Sequence, residues 1–242
     1  ALGLDIDIGP KDLAIRGNFA SVKKENKKLI VTDRRAGRIK TDENNRIIKK
    51  LSQNIQTIGK YKVFFKSGLE HRFVCKISCP TKVSKDECDI QDTDPQVIGY
   101  SPLDPINLNK KSLKTSIVVR KLLDKIRAVL NNEKNANFAL FRGFSSYPSI
   151  PTFDTLYKIR SASVTTYPMY KGIGKLVGME PLSLKTNNLQ GQIEAIKANI
   201  NNYDFFYLHI KKTDSFGEDG NFKDKVKEIE KLCKNHKLVS QI

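Results

Sequence analysis

Apolar positions along the chain recur at intervals of two, then of three and four, then of two again. Asp12 to Val22 reads as a strand, the polar run Lys23–Lys28 as a turn, and Leu29 to Thr32 as its return partner. Between Asp42 and Ile58, the residues Ile47, Ile48, Leu51, Ile55 and Ile58 keep helical spacing. A second hairpin follows, Tyr61–Phe65 and His71–Ile77, turning at Ser67-Gly68. Strand pairs flanking an amphipathic helix predict a small α+β domain over residues 1–105. The polar, proline-bearing stretch from Ser78 to Pro105 is expected to be a long loop.

The rest alternates strand and helix. Residues 138–144, 161–167 and 203–210 read as strands; residues 112–130, 168–177 and 189–200 read as helices. Phe222, Val226, Ile229 and Cys233 share one face of a last helix. This order predicts α/β structure over residues 106–242, a parallel sheet with crossover helices. Residues 203–210 lack polar alternation, which predicts a strand buried on both faces. No internal repeat appears.

With 242 residues, 39% of them hydrophobic, the chain has material for one large domain or two small ones. No apolar run approaches the ~20 residues of a membrane span, and no signal-peptide layout opens the sequence. The expectation is a cytoplasmic globular protein without a membrane partner. Four cysteines, Cys75, Cys79, Cys88 and Cys233, lack the spacing of a zinc site or a disulfide framework, and are expected as reduced thiols.

The formal net charge is +17. The lysines are dispersed, as on a solvated surface, but Arg34, Arg35 and Arg38 fall within five residues. Guanidinium groups fork onto phosphate and carboxylate oxygens, so the cluster points to an anionic ligand. A solvated basic loop would look the same in sequence. Arg16, Arg72 and Arg142, each next to a predicted strand or on one, are candidates for the same anion site.

Other chemistry is sparser. The segment 211–220, expected as a loop after the strand at 203–210, sits where a parallel sheet gathers ligands. Its Asp214 and Glu218 are hard oxygen donors for Mg²⁺ or Mn²⁺, or else cap the next helix. Asp92 and Asp94 beside Pro95 suit a turn as well as a site. Lys171 next to Gly172 lies near a helix start, where an anion is welcome; a surface lysine is the plainer reading. His209 lies in an apolar strand and is expected in the core. Nucleotide-loop, dinucleotide, serine-hydrolase and zincin motifs are absent.

Seven segments in order make a specific resemblance: IRGNFASV, TDRRAGRI, HRFV, DTDPQ, FRGFSSYP with IPTF, YPMYKGIGKLVGM and HIKKTDSFGEDGNFKDKVKEIE. Together they resemble the archaeal-type cofactor-independent (2,3-bisphosphoglycerate-independent) phosphoglycerate mutases of the alkaline phosphatase superfamily, over residues 7 to 230. The resemblance implies part of an alkaline-phosphatase-like parallel sheet (106–242) plus an inserted α+β substrate domain (1–105). It implies a metal-dependent isomerase of glycolysis and gluconeogenesis that interconverts 3-phosphoglycerate and 2-phosphoglycerate through a phosphoserine. Two divalent ions, Mn²⁺, Mg²⁺ or similar, would serve it.

On that pattern Arg16, Arg34, Arg35, Arg38 and Arg72 form an anion clamp, with Asp92, Asp94, Arg142 and Lys171 around the same cleft. Asp214 resembles the family's metal-ligating aspartate, and Glu218 stands where many members have histidine. The segments with the nucleophilic serine and the remaining metal ligands are expected before residue 1 and after residue 242. No serine here is therefore assigned as catalytic, and the chain alone is expected to be inactive. A homoserine-kinase-like phosphotransferase on the same scaffold is an alternative. A polyanion- or nucleic-acid-binding module is another, though no nucleic-acid motif or aromatic platform supports it. The residues leave the oligomeric state open.

Overall fold

A computed structural model describes residues 1–218 and 220–234. They form two compact units: Ala1 with residues 6–148, and Leu2–Asp5 with the chain from Ser149 onward.

The first unit is built on β1 (Asp12–Glu25), which pairs antiparallel with three strands: β2 (Lys28–Asp33), β5 (Arg72–Ser78) and β6 (Phe138–Ser146). β4 (Tyr61–Ser67) continues the sheet beyond β5, and the short β3 (Thr57–Ile58) ends it. Alternation along β1 turns Leu13, Ile15 and Phe19 into the core, where each is at most 1% exposed. Helices α1 (Thr41–Asn54) and α2 (Leu113–Leu130) cover that face with Ile47, Leu51, Val119, Leu122 and Ile126, all in one cluster with the strand residues. Each such side chain contributes about 1.5–3 kcal/mol on burial. Phe19 stacks on Phe73 with centroids 4.6 Å apart. A Cβ at Gly17 would come within 2.2 Å of the Phe73 ring, so the glycine of the IRGNF segment is a packing requirement.

The second unit contains a short helix α3 (Phe153–Tyr157) and a parallel sheet of β7 (Ser161–Thr165), β8 (Glu180–Pro181) and β9 (Phe205–His209), with β7 central. Helices α4 (Pro168–Leu176) and α5 (Leu189–Asn199) make the crossovers, and α6 (Lys212–Glu218) and α7 (Phe222–Lys234) follow β9. Asn188 caps α5 by accepting the Gly191 N–H.

The molecule is α/β, with four departures from the sequence expectations. The first unit runs to residue 148, past the expected boundary at 105, because β6 pairs with β1 and α2 joins that core. For the same reason the 138–144 strand belongs to the antiparallel sheet. β9 is not buried on both faces: among the described residues it is an edge strand, with Phe205 39% exposed. The segment expected as a loop at 211–220 is helical from Lys212 to Glu218.

Candidate anion-binding site

The alternation that sends Leu13, Ile15 and Phe19 inward places Arg16 on the opposite face of the sheet. Register sets Arg142 of β6 directly across from Arg16, while Arg72 of β5 pairs with Asn18, one diagonal step away. Like charges facing across strands repel, and the Arg16 guanidinium has no hydrogen-bond or ion-pair partner among the described residues. Its partial burial, and then the Arg142 and Arg72 charges, hold its guanidinium below the usual pKa, with Asp92 and Asp94 opposing. Arg72 pairs with Glu70 at 3.2 Å and Arg142 with Asp92 and Asp94, so Arg16 is the guanidinium on this face left without a counter-charge.

Asp94 holds two of the arginines. Its side chain is fully buried and accepts from Arg34 Nε and Nη2, each at 2.8 Å, and from the Gln96 N–H at 2.9 Å. Arg142 Nη1 lies 3.6 Å from the same carboxylate. Asp92 accepts from Arg142 Nε at 3.4 Å and from the Gly143 N–H at 2.8 Å. Between them Thr93 bonds to the Phe141 backbone through both its N–H and its hydroxyl, and farther on Gly99 and Tyr100 pair with Val31 of β2. The segment therefore runs from the edge of β6 to β2, which brings Asp94 under Arg34. Asp92 and Asp94 thus orient arginines, and Asp94 has both oxygens occupied.

The turn carrying Arg35 and Arg38 is shaped by a residue the sequence reading passed over. Asp33 accepts the Arg35 N–H at 2.7 Å and the Gly37 N–H at 2.8 Å. Ala36, Gly37 and Arg38 all have positive φ (49°, 67° and 51°), and Ala36 is fully buried. Aspartate bonding backbone a few residues ahead is an Asx-turn signature, and that signal was present in DRRAG. Asp33→Ala is expected to cost about 1–2 kcal/mol and to loosen the turn; urea denaturation with amide exchange at Arg35 and Gly37 reads both. Arg35 and Arg38 are exposed, and Arg35 contributes to the electrostatics of the buried His71.

The remaining candidates lie in the second unit. Lys171 bonds to Asp5 at 2.9 Å, as does Lys175 at 2.5 Å, and the two lysines pull the Asp5 carboxyl down to about 2. Asp214 is exposed on α6 and accepts from Lys211, which holds its carboxyl below the usual range. Glu218 ends α6 one turn later, and its side chain lies outside the described residues. Among the described residues no three His, Cys, Asp or Glu side chains cluster tightly enough to hold a metal ion. Asp214 fits one hard oxygen ligand, and the described residues do not make a metal centre. His209 stacks on Tyr170 at 3.4 Å between centroids, a packing role. The four cysteines are free thiols, and no helix among the described residues is long and apolar enough to cross a membrane.

The family model described as 2,3-bisphosphoglycerate-independent phosphoglycerate mutase matches residues 1–135. A relative from Aquifex aeolicus, named probable 2,3-bisphosphoglycerate-independent phosphoglycerate mutase, is 46% identical over 95% of this chain and 56% of its own length. One of the same name from Thermosipho melanesiensis is 44% identical over the whole chain and 58% of its own. The solved cofactor-independent phosphoglycerate mutase from Thermoplasma acidophilum superposes with a TM-score of 0.62 at 28% identity, over 87% of this chain and 57% of that one. A Pyrococcus horikoshii structure shares the fold at a TM-score of 0.72 and 22% identity, over 100% of this chain and 57% of that one. The chain thus spans 56–58% of the length of these two curated relatives. Sequence identity at this level over nearly every residue places the chain in the 2,3-bisphosphoglycerate-independent phosphoglycerate mutase family.

Proposed function

We propose that this chain holds the substrate in a phosphoglycerate mutase, an isomerase interconverting 3-phosphoglycerate and 2-phosphoglycerate in the cytoplasm, within glycolysis and gluconeogenesis. The observation that supports it most is Arg16, unpaired and set between Arg142 and Arg72 on one sheet face. A phosphoglycerate carries a carboxylate and a phosphate, and forked guanidinium groups match both. Phosphoryl transfer is catalysed mainly by positioning and charge stabilisation, which is what fixed arginines supply.

In this reading Arg16, Arg72 and Arg142 contact the anion, Arg34 is held ready by Asp94, and Arg35 and Arg38 line the approach. Lys171 is an anion contact only if it leaves Asp5. Two divalent ions, Mn²⁺, Mg²⁺ or similar, belong to the mutase reading. Asp214 is the oxygen donor this chain would offer them, with Glu218 as its neighbour on α6. No catalytic serine is assigned among these residues.

Calorimetric titration with 3-phosphoglycerate, inorganic phosphate and homoserine at about 150 mM salt tests the reading, because exposed-charge attraction is largely screened there. Phosphoglycerate is expected to bind saturably and more tightly than phosphate, and Arg16→Ala to weaken it roughly tenfold or more. Equal affinity for phosphate, or unchanged binding in the variant, overturns the assignment. Homoserine binding alone moves it to a kinase-like phosphotransferase.

A further inference from the structure

The first unit contains a cavity of about 320 Å³ that none of the site arginines lines. Lys27, in the turn between β1 and β2, and Lys28, the first residue of β2, reach it from one side. Arg120 and Arg127, seven residues apart on α2 and so on one face of that helix, reach it from another. None of these four has an ion-pair partner among the described residues. Leu123 and Phe138 contribute apolar wall, and Asp104 and Asp124 are the only carboxylates in the lining.

Lys27 adds an observation of a different kind. Asn26 and Lys27 both have positive φ (45° and 66°), the form of a two-residue hairpin turn whose second position ordinarily takes glycine. A lysine there carries backbone strain that glycine would relieve, and strain of this sort concentrates where a side chain has work to do.

We propose that this cavity binds a nucleoside phosphate, a ligand beyond those of the mutase reading. The apolar wall suits the face of a base, and the two carboxylates suit ribose hydroxyls. Four cationic side chains against two carboxylates leave a local charge of two, which a phosphate dianion balances. The size falls within the range of small-molecule pockets.

The chain is titrated with AMP and ADP, with adenosine and inorganic phosphate as separate arms. AMP or ADP is expected to bind roughly tenfold or more tightly than either fragment, undisplaced by 3-phosphoglycerate. Arg120→Ala with Arg127→Ala, both at exposed positions, is expected to weaken it by a similar factor. Lys27→Gly is the sharper variant: it should raise the thermal midpoint of the chain and still weaken nucleotide binding, a combination that a merely structural role for Lys27 would not give. Binding no tighter than phosphate, indifference to both variants, or full displacement by 3-phosphoglycerate overturns the proposal. The first two results leave the arginine site untouched, and the third assigns the nucleotide to it.

Discussion

Asp94→Ala is expected to be the most damaging single substitution in the first unit, costing about 3–5 kcal/mol. The carboxylate it removes is fully buried and accepts from Arg34 Nε and Nη2 and from the Gln96 N–H. Taking it away leaves a partly buried guanidinium and a backbone donor without partners and leaves Arg142 unopposed on that side. Urea unfolding should show the loss, and a midpoint within about 0.5 kcal/mol of the parent would sink the assignment of Asp94 as the strut. The acid limb carries the same information. Burial pushes the Asp94 carboxyl up, but the Arg34 hydrogen bonds, the Gln96 N–H and the charges of Arg34 and Arg142 outweigh it and hold it below the ordinary 3.8. A carboxyl lowered on folding stabilises fully above about pH 4, and that contribution disappears as pH falls through its folded value. Asp94→Asn should therefore be less stable at neutral pH and lose less below pH 4.

The second large effect is expected from His71 between pH 6.5 and 4. This imidazole is 2% exposed, and its Nδ1 has no hydrogen-bond partner among the described residues. Burial first, then the Arg72 and Arg35 charges, lower its pKa from 6.5 to about 4, with Glu70 and Asp33 opposing. The nearest carboxylate, Glu70 Oε2, is 3.8 Å from Nδ1. The Asn44 amide ties down the segment by donating to the Glu70 and Arg72 carbonyls at 2.5 and 2.6 Å, so the ring has no easy route to water. Between the two pKa values the unfolded chain binds the extra proton, and stability falls as pH falls through that window. The full loss is about 3 kcal/mol. Unfolding midpoints at pH 7, 5 and 4, for the parent and for His71→Phe, isolate the contribution. An equally steep decline in the variant over pH 6.5–4 would refute it.

Local pattern carried much of the fold. The first hairpin, α1, the β4–β5 pair, α2, α4, α5 and α7 are legible because each announces itself by its own period and turn residues. What escaped depends on partners far along the chain. An apolar run such as FALFRGF reads alike whether it enters a parallel or an antiparallel sheet; its pairing with β1, more than a hundred residues away, decided the matter and moved the boundary from 105 to 148. The aromatic content of β9 likewise does not say whether strands flank it on both sides. Among site residues, Arg16, Arg72 and Arg142 could be singled out by type and strand position, and sheet register is what gathers them. The roles of Asp92 and Asp94 depend on a loop that crosses from β6 to β2, and no periodicity encodes that path.

The central position of β1 also governs how the chain folds as it is made. Its partners β2, β5 and β6 are spread out to Ser146, so its final pairing closes a loop of more than a hundred residues. Such high contact order slows folding. At a synthesis rate of about 5–20 residues per second, the edge of β1 that β6 will occupy waits on the order of ten seconds for its partner. During that interval the unpaired backbone N–H and C=O groups between Leu13 and Ala20 are an open strand edge on which chaperones would act.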